Sequence, residues 1–353
     1  MEVGNWVERA TRNLEDSLRG VERIGIILPP TPDGIASSVI LSELCSQMGI
    51  DSEFLVSLPE TSLDAVEIML NRCDYLIFLE LPPHGYGPIS IAKYLYKGLM
   101  VIDHGSTEMP LSWGVSRVGL PSGGVSTSLL LYLISSHYSK ENEYLSWIAV
   151  SGFSNKCSSK LCNSIKETSQ FYWPNLMEEN AIGFVQRALS AACFEGEEWV
   201  MIAISSLQES VDDPWWFIKG SSAAPNLLRS KLLDFEREIE DILTEPFMIE
   251  GEVGIWEVNE PYQRFALSIE ANRIVKAAIS FFYDPPLGLI YILAPQNIDL
   301  YAEALELLKN ESEWSIFGGM GFLSMITSSE AMLNALIRFK DRLNSVIRHT
   351  EKH

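Results

Sequence analysis

Short apolar runs alternate with amphipathic stretches through the first part of the chain. Runs rich in Ile, Leu and Val are typical of strands that are buried on both faces of a sheet. Such runs occupy residues 23–28, 53–57, 75–79 and 99–102, and helix-like stretches lie between them at 35–48, 62–71 and 89–96. Because strand–helix–strand units of this spacing join parallel strands, the pattern predicts an α/β fold with a parallel sheet.

The pattern changes twice further along the chain. Residues 160–245 are mostly helical, with an irregular aromatic segment at 212–217, whereas strands and helices mix after Pro246. Strand candidates lie at 249–258, 265–270 and 289–293, and helix candidates lie at 299–309 and 329–348. We therefore predict a parallel-sheet domain at 1–165, a helical connector at 166–245 and a smaller α+β domain at 246–353.

The charge balance narrows the classes of partner. The chain of 353 residues carries 47 acidic and 26 basic residues, a net charge of −21. Such a surface repels phosphate backbones, so tight binding of DNA or RNA by the chain alone is not expected. Acidity favours a basic protein partner, and plain solubility is the other interpretation that the composition leaves open.

No segment is expected to enter a membrane. No apolar run approaches the roughly 20 residues that span a bilayer, and the first residues lack the basic start and apolar run of a secretory signal. The five cysteines are an odd number, and most lie in apolar or helical stretches, as reduced cytosolic thiols do. We therefore expect a cytoplasmic protein.

Acidic or imidazole side chains follow three of the predicted strands. Asp33 comes after the first strand, Glu80 after the third, and Asp103 with His104 after the fourth. Ligands bind at the carboxyl ends of parallel strands, where divalent cations favour carboxylate clusters that imidazole can join. The convergence points to a two-metal phosphate hydrolase or its descendant. Taken singly, Asp33 is more typical of a turn or helix cap, and Glu80 of a solvated loop acid.

The order of these pieces resembles the motifs of a known family. A strand precedes Asp33-Gly-Ile-Ala-Ser-Ser, another precedes Glu80, and a third runs into Asp103-His104-Gly105. This order resembles the first three motifs of the DHH phosphoesterases, which include RecJ-like nucleases. The segment 317–322 is similar to the glycine-rich loop of the DHH-associated C-terminal domain. The resemblance covers nearly the whole chain, and it implies a DHH domain, a helical connector and a DHH-associated domain.

Departures from the family's motifs imply that the chemistry is lost. Thr31 stands where the family has an Asp, Glu80 replaces a shorter Asp, Gly105 replaces the final His, and Met320 replaces a His that would help to hold substrate. The resemblance therefore implies no catalytic residue, and it leaves vestigial metal positions at Asp33, Glu80, Asp103 and His104 and a vestigial substrate loop at Gly318, Gly319 and Gly321. No cofactor is expected, with one weak manganese site as the alternative.

Catalytically dead RecJ-like proteins join the GINS and MCM subunits of archaeal and eukaryotic replicative helicases. The resemblance implies the same partners here, with single-stranded DNA contacted only inside that complex. Trp215, Trp216 and Phe217 are the candidate partner surface, although these aromatic residues could equally pin the connector onto the sheet. Two alternatives stay open: a manganese-dependent single-strand exonuclease or phosphodiesterase, and a nucleotide-sensing regulatory protein.

Overall fold

The structure is a computed structural model, and the chain in it divides into two compact units, Met1–Leu233 and Asp234–His353. The structure describes residues 3–57, 63–80, 98–102, 116–118, 126–153, 160–178, 181–246, 248–250, 253–258, 262–263, 266–267, 270–271, 279–284, 288–293, 300–308, 315–318, 322–326 and 334–343. All statements below concern these residues.

The first unit is built on a parallel sheet. Its strands are β1 Arg23–Leu28, β2 Asp51–Val56, β3 Tyr75–Leu79, β4 Gly98–Ile102 and β5 Ser116–Val118. They lie in the order β2-β1-β3-β4-β5, and every neighbouring pair is parallel. The prediction of a parallel α/β sheet is confirmed. The strand order reverses between β1 and β3. In parallel α/β sheets, ligands bind beyond the carboxyl ends of the strands at such a reversal.

The first unit also contains many helices, and the last of them runs on into the second unit. They are α1 Val3–Ser17, α2 Pro32–Gln47, α3 Leu63–Arg72, α4 Thr127–Tyr138, a 3-10 helix Lys140–Leu145, α5 Ser146–Gly152, α6 Lys160–Tyr172, α7 Pro174–Glu178, α8 Ala181–Glu195, α9 Glu197–Glu209, α10 Pro214–Lys219 and α11 Ala223–Thr244. Helix α2 is central and almost wholly buried. A Cβ atom added to Gly152 would lie 2.7 Å from both Ala36 Cβ and Ser128 Oγ, so glycine lets α5 approach α2 and α4 closely.

The helices predicted to form a connector pack on the first unit. Gln186 of α8 donates hydrogen bonds to the carbonyl oxygens of Val150 and Phe153, at 3.0 and 2.9 Å. Trp147 Nε1 donates to the carbonyl oxygen of Val211 at 3.4 Å. The boundary between the two units falls inside α11. The helical character predicted for this region is confirmed, but most of it belongs to the first unit.

The second unit contains a six-stranded mixed sheet. Its strands are β6 Met248–Glu250, β7 Val253–Glu257, β8 Ile279–Asp284, β9 Leu289–Leu293, β10 Ser315–Gly318 and β11 Phe322–Ile326, in the order β10-β11-β9-β8-β7-β6. Only β7 and β8 are parallel among the described pairs. Helix α12 Leu300–Leu308 and a helix at 334–343 contribute to its core, where the rings of Phe281 and Phe339 meet edge to face at 6.4 Å.

Several expectations from the sequence need correction. The strand predicted at 265–270 is wrong, because the described residues 266, 267 and 270 are helical. The aromatic segment predicted to be irregular forms helix α10, which Asp213 begins by accepting a hydrogen bond from Trp215 N at 3.0 Å. Cys45, Cys73 and Cys193 are free and buried, whereas Cys162 is disulfide-bonded. The expectation that the cysteines are reduced thiols therefore does not hold for Cys162. None of the described helices has both the length and the apolar character needed to cross a membrane.

Candidate functional site

The turn after β1 lies at this carboxyl end of the sheet. Thr31 has extended backbone angles and begins α2, where its Oγ1 accepts a hydrogen bond from Gly34 N at 2.8 Å. Pro32 follows at the first helical position, where its missing N–H costs nothing. A Cβ atom on Gly34 would lie 2.5 Å from the carbonyl oxygen of Pro29, so this position requires glycine. The turn thus fixes the side chains of Thr31 and Asp33 at the carboxyl end of β1.

Glu80 lies at the carboxyl end of β3, beside that turn. Its backbone N–H donates to the carbonyl oxygen of Ile102 at 2.9 Å, which extends the pairing of β3 with β4. Its φ of 44° is in the left-handed region, which a non-glycine residue adopts at a cost of about 1–3 kcal/mol. Its carboxylate Oε2 accepts a hydrogen bond from the hydroxyl of Thr31 at 2.9 Å. The carboxylate of Glu80 therefore lies next to the turn after β1.

Asp33 uses both carboxylate oxygens to accept hydrogen bonds from the start of another helix, α4. Oδ2 accepts a hydrogen bond from Thr127 N at 2.9 Å, and Oδ1 accepts one from Ser128 N at 2.8 Å. Both amides belong to the first turn of α4, where the partial positive charge of the helix favours an anion. The sequence indicated that Asp33 could cap a helix. It does accept hydrogen bonds from the amino terminus of a helix, but that helix is α4. The residue that caps α2 is Thr31.

Cys193 is a neighbour of this site that the sequence did not indicate. It lies in α8, where burial and the negative charge of Glu80 raise the pKa of its thiol well above the usual value. A thiol held protonated in this way is a poor nucleophile and a poor metal ligand. Cys193 is therefore a buried, protonated neighbour of Glu80. Because α8 is distant in sequence, only the tertiary structure brings this residue to the sheet edge.

The other residues predicted from the motifs are placed only in part. Asp103 and His104 lie outside the described residues, as do Gly319 and Gly321. Gly318 ends β10 and pairs with Leu323 of β11, so the predicted glycine-rich loop begins in a hairpin. Within the described parts of the chain, no three His, Cys, Asp or Glu side chains are grouped to hold a metal ion. The described residues at the carboxyl ends of β1 and β3 include two carboxylates, Asp33 and Glu80, and both already accept hydrogen bonds from the protein.

The three candidate aromatic residues have different environments. Phe217 is fully buried, so it belongs to the core and not to an exposed partner surface. Trp216 is 52% exposed, and Trp215 is half-buried, with Lys219 Nζ lying 5.7 Å from the centre of its ring. Of the predicted surface, Trp216 with part of Trp215 remains accessible.

The first unit has an α/β fold in which the acidic residues Asp33 and Glu80 follow the neighbouring parallel strands β1 and β3. No protein-family profile matches the chain, and no curated protein matches it in sequence. Solved structures do match: the chain has the fold of DHH proteins of the RecJ type. The parallel sheet and the mixed sheet correspond to the predicted DHH domain and C-terminal domain, so this part of the prediction is confirmed.

Three solved structures illustrate the similarity. RecJ of Thermus thermophilus in complex with Mn²⁺ has a TM-score of 0.67 at 16% identity, over 98% of this chain and 55% of that one. An exonuclease RecJ bound to manganese has a TM-score of 0.61 at 16% identity, over 96% and 94%. The DHH domain of a protein from a family of ribosomal proteins has a TM-score of 0.68 at 10% identity, over 97% and 92%. The chain thus spans about half of the Thermus protein.

Proposed function

We propose that this chain is a non-catalytic RecJ-like protein that acts in DNA replication by binding other proteins. The observation that carries the proposal is the hydrogen bond from the Thr31 hydroxyl to the Glu80 carboxylate. At a two-metal site, cations neutralise the clustered carboxylates and activate water. In this chain the neutral hydroxyl of Thr31 lies beside Glu80 at the strand ends. It donates a hydrogen bond to one carboxylate oxygen, which therefore has a partner without a cation.

The contacts of Asp33 support the same proposal. A carboxylate that accepts two backbone N–H groups at a helix terminus stabilises the fold whether or not a metal binds. This structural role gives a physical reason for Asp33 to persist in a chain that has no catalytic activity. The sequence adds the departures at Gly105 and Met320, where the family's motifs have His.

The proposed partners are the GINS and MCM subunits of a replicative helicase of archaeal type. They follow from the resemblance to catalytically dead RecJ-like proteins, and the acidic surface is compatible with protein partners. In this role the chain braces the helicase, and it meets single-stranded DNA only within the assembly. The proposal requires no cofactor and no membrane.

Binding to purified partners tests this function. The chain would be mixed with GINS and with MCM proteins of the same organism, and complexes would be measured by size-exclusion chromatography and biolayer interferometry. We expect a stable complex with at least one of them in the presence of EDTA, since no metal is required. Elution of every component at its own volume, with no binding signal, would refute the proposed role.

A second candidate is a manganese-dependent single-strand exonuclease or phosphodiesterase. The observation that favours it is that Asp33 and Glu80 follow neighbouring strands at one edge of the sheet, in a fold shared with manganese-bound RecJ. Manganese-stimulated cleavage of labelled single-stranded DNA that disappears in both Asp103→Ala and Glu80→Gln would establish this activity. Absence of cleavage above the buffer rate supports the non-catalytic proposal.

A further inference from the structure

The carboxyl end of α6 carries an exposed aromatic pair. The side chain of Phe171 is 80% exposed and that of Tyr172 is 38% exposed, and their rings meet edge to face with centroids 5.4 Å apart. Scattered exposed apolar residues are common on protein surfaces, but adjacent exposed aromatics offer a large contact area to a partner. This pair lies on the first unit, far in sequence from the turn that holds Thr31.

The aromatic pair is joined to the 3-10 helix by two hydrogen bonds. Tyr172 donates its hydroxyl to Glu143 Oε2 at 3.1 Å, and the adjacent Trp173 donates Nε1–H to the carbonyl oxygen of Tyr144 at 3.1 Å. Burial and this bond to Glu143 raise the pKa of Tyr172. These two hydrogen bonds join the carboxyl end of α6 to the 3-10 helix.

Two further carboxylates act on Tyr144 of the 3-10 helix. Burial, followed by the negative charges of Glu43 and Asp212, raises the pKa of Tyr144 to about 12. Burial and the charge of Asp212 also raise the pKa of Glu43, since like charges oppose ionisation. Within the described parts of the chain, neither these two acids nor Glu143 forms an ion pair with Lys or Arg. These three acids thus carry negative charge that the described residues leave uncompensated.

We propose that this acidic–aromatic surface docks a basic, amphipathic segment of a partner protein. The surface comprises Glu43, Glu143, Tyr144, Phe171, Tyr172 and Asp212. Apolar residues of the segment cover the exposed ring of Phe171, and its Lys or Arg side chains pair with the three carboxylates. Charge complementarity selects this occupant, because nucleic acids and anionic membranes carry the same sign as the surface.

This docking surface is independent of the proposed function, because it depends on surface chemistry and not on the RecJ-like fold. It specifies what a partner must offer, whichever protein that partner is. The two proposals can fail separately. If variants of this surface still bind GINS or MCM proteins as the parent chain does, the proposed function stands and only the proposed docking surface is refuted.

A synthetic peptide provides the direct test. The probe is a fluorescein-labelled helical peptide of roughly 14 residues, four turns, with Leu on one face and Lys on the other. Fluorescence anisotropy measures its binding to the full chain between about 50 and 300 mM salt. We expect Phe171→Ala to weaken binding about tenfold, as for an exposed aromatic anchor. The pair Glu43→Gln and Glu143→Gln should weaken it similarly and flatten its dependence on salt.

Matched variants in other parts of the chain control for nonspecific attraction to an acidic protein. Leu233→Ala removes another apolar side chain, which is 75% exposed, and Glu238→Gln with Glu240→Gln removes the same charge from exposed positions of the second unit. These variants should bind the peptide as the parent chain does. Equal weakening in the controls and in the surface variants, or unchanged binding by Phe171→Ala, would overturn the proposal. Dimerisation of the chain alone that Phe171→Ala abolishes would also overturn it, in favour of a second copy as the occupant.

Discussion

Replacement of Asp33 tests whether its carboxylate stabilises the fold or serves as a metal ligand. The two roles predict opposite changes in the free energy of unfolding. The two hydrogen bonds that Asp33 accepts from the first turn of α4, at 2.9 and 2.8 Å, are charge-assisted. Such bonds contribute about 1.5–3 kcal/mol each, and the lower end applies because Asp33 is partly exposed. Asp33→Ala should therefore lower the free energy of unfolding by about 3 kcal/mol, and Asp33→Asn, which keeps one acceptor, by about 1.5 kcal/mol.

Urea unfolding followed by circular dichroism measures both losses, first in EDTA and then with excess Mn²⁺. The losses should be the same under both conditions, since the hydrogen bonds need no cation. Hydrogen exchange gives a local readout, because the amides of Thr127 and Ser128 should lose protection in Asp33→Ala. Asp213→Ala is the matched control: it removes the side-chain cap of α10, and we expect a smaller loss of about 1 kcal/mol, also independent of Mn²⁺.

The opposite result follows if Asp33 chiefly serves a metal centre. In the metal-free chain its carboxylate would then repel neighbouring acids, so Asp33→Asn would leave stability unchanged or raise it. Mn²⁺ would stabilise the parent chain by an amount that grows with its concentration, and the variant would lose that gain. Either observation would refute the structural role assigned to Asp33.

Three further predictions concern other described residues. Gly34→Ala should lower the free energy of unfolding in urea by about 1–3 kcal/mol, because its Cβ would meet a backbone carbonyl oxygen 2.5 Å away; an unchanged midpoint would contradict the tight turn. Phe217→Ala should cost about 3–5 kcal/mol, since the ring is fully buried, whereas Trp216→Ala should cost less than about 1 kcal/mol; thermal denaturation that ranks them the other way would reject this placement. Because burial and Asp212 raise the pKa of Glu43 in the folded chain, its ionisation opposes folding, and stability falls as pH rises through that pKa. Glu43→Gln should therefore stabilise the chain at neutral pH and lose this advantage below the ordinary glutamate pKa of 4.5, as urea titrations at the two pH values would show.

The sequence predicted the parts of the fold that local patterns control. Strands β1, β3 and β4 are short apolar runs, because each is buried on both faces of the parallel sheet. Strand β8 is equally apolar but was not predicted, since such a short run cannot be told from a buried helix by periodicity. The helical segment around residues 266 and 267 was predicted to be a strand for the same reason.

In the candidate site, too, the sequence predicted which residues lie there but not which residues they contact. Asp33 and Glu80 were identified from their positions after strands, because parallel strands bring their carboxyl ends to one edge. Their hydrogen-bond partners depend on tertiary structure: Thr31 contacts Glu80 across two strands, and Asp33 reaches α4 from the first turn of α2. The left-handed backbone of Glu80 has no sequence signal, since glycine would be the ordinary choice there.

Isothermal titration of Mn²⁺ into the metal-free chain tests the central claim most directly. If too few ligands remain for a bridged metal pair, the titration should show no saturable binding tighter than about 100 μM. EDTA-treated and untreated protein should then give the same heats. Saturation at two ions per chain with low micromolar affinity, lost in Glu80→Gln, would contradict the account and return this chain to the metal-dependent phosphoesterases.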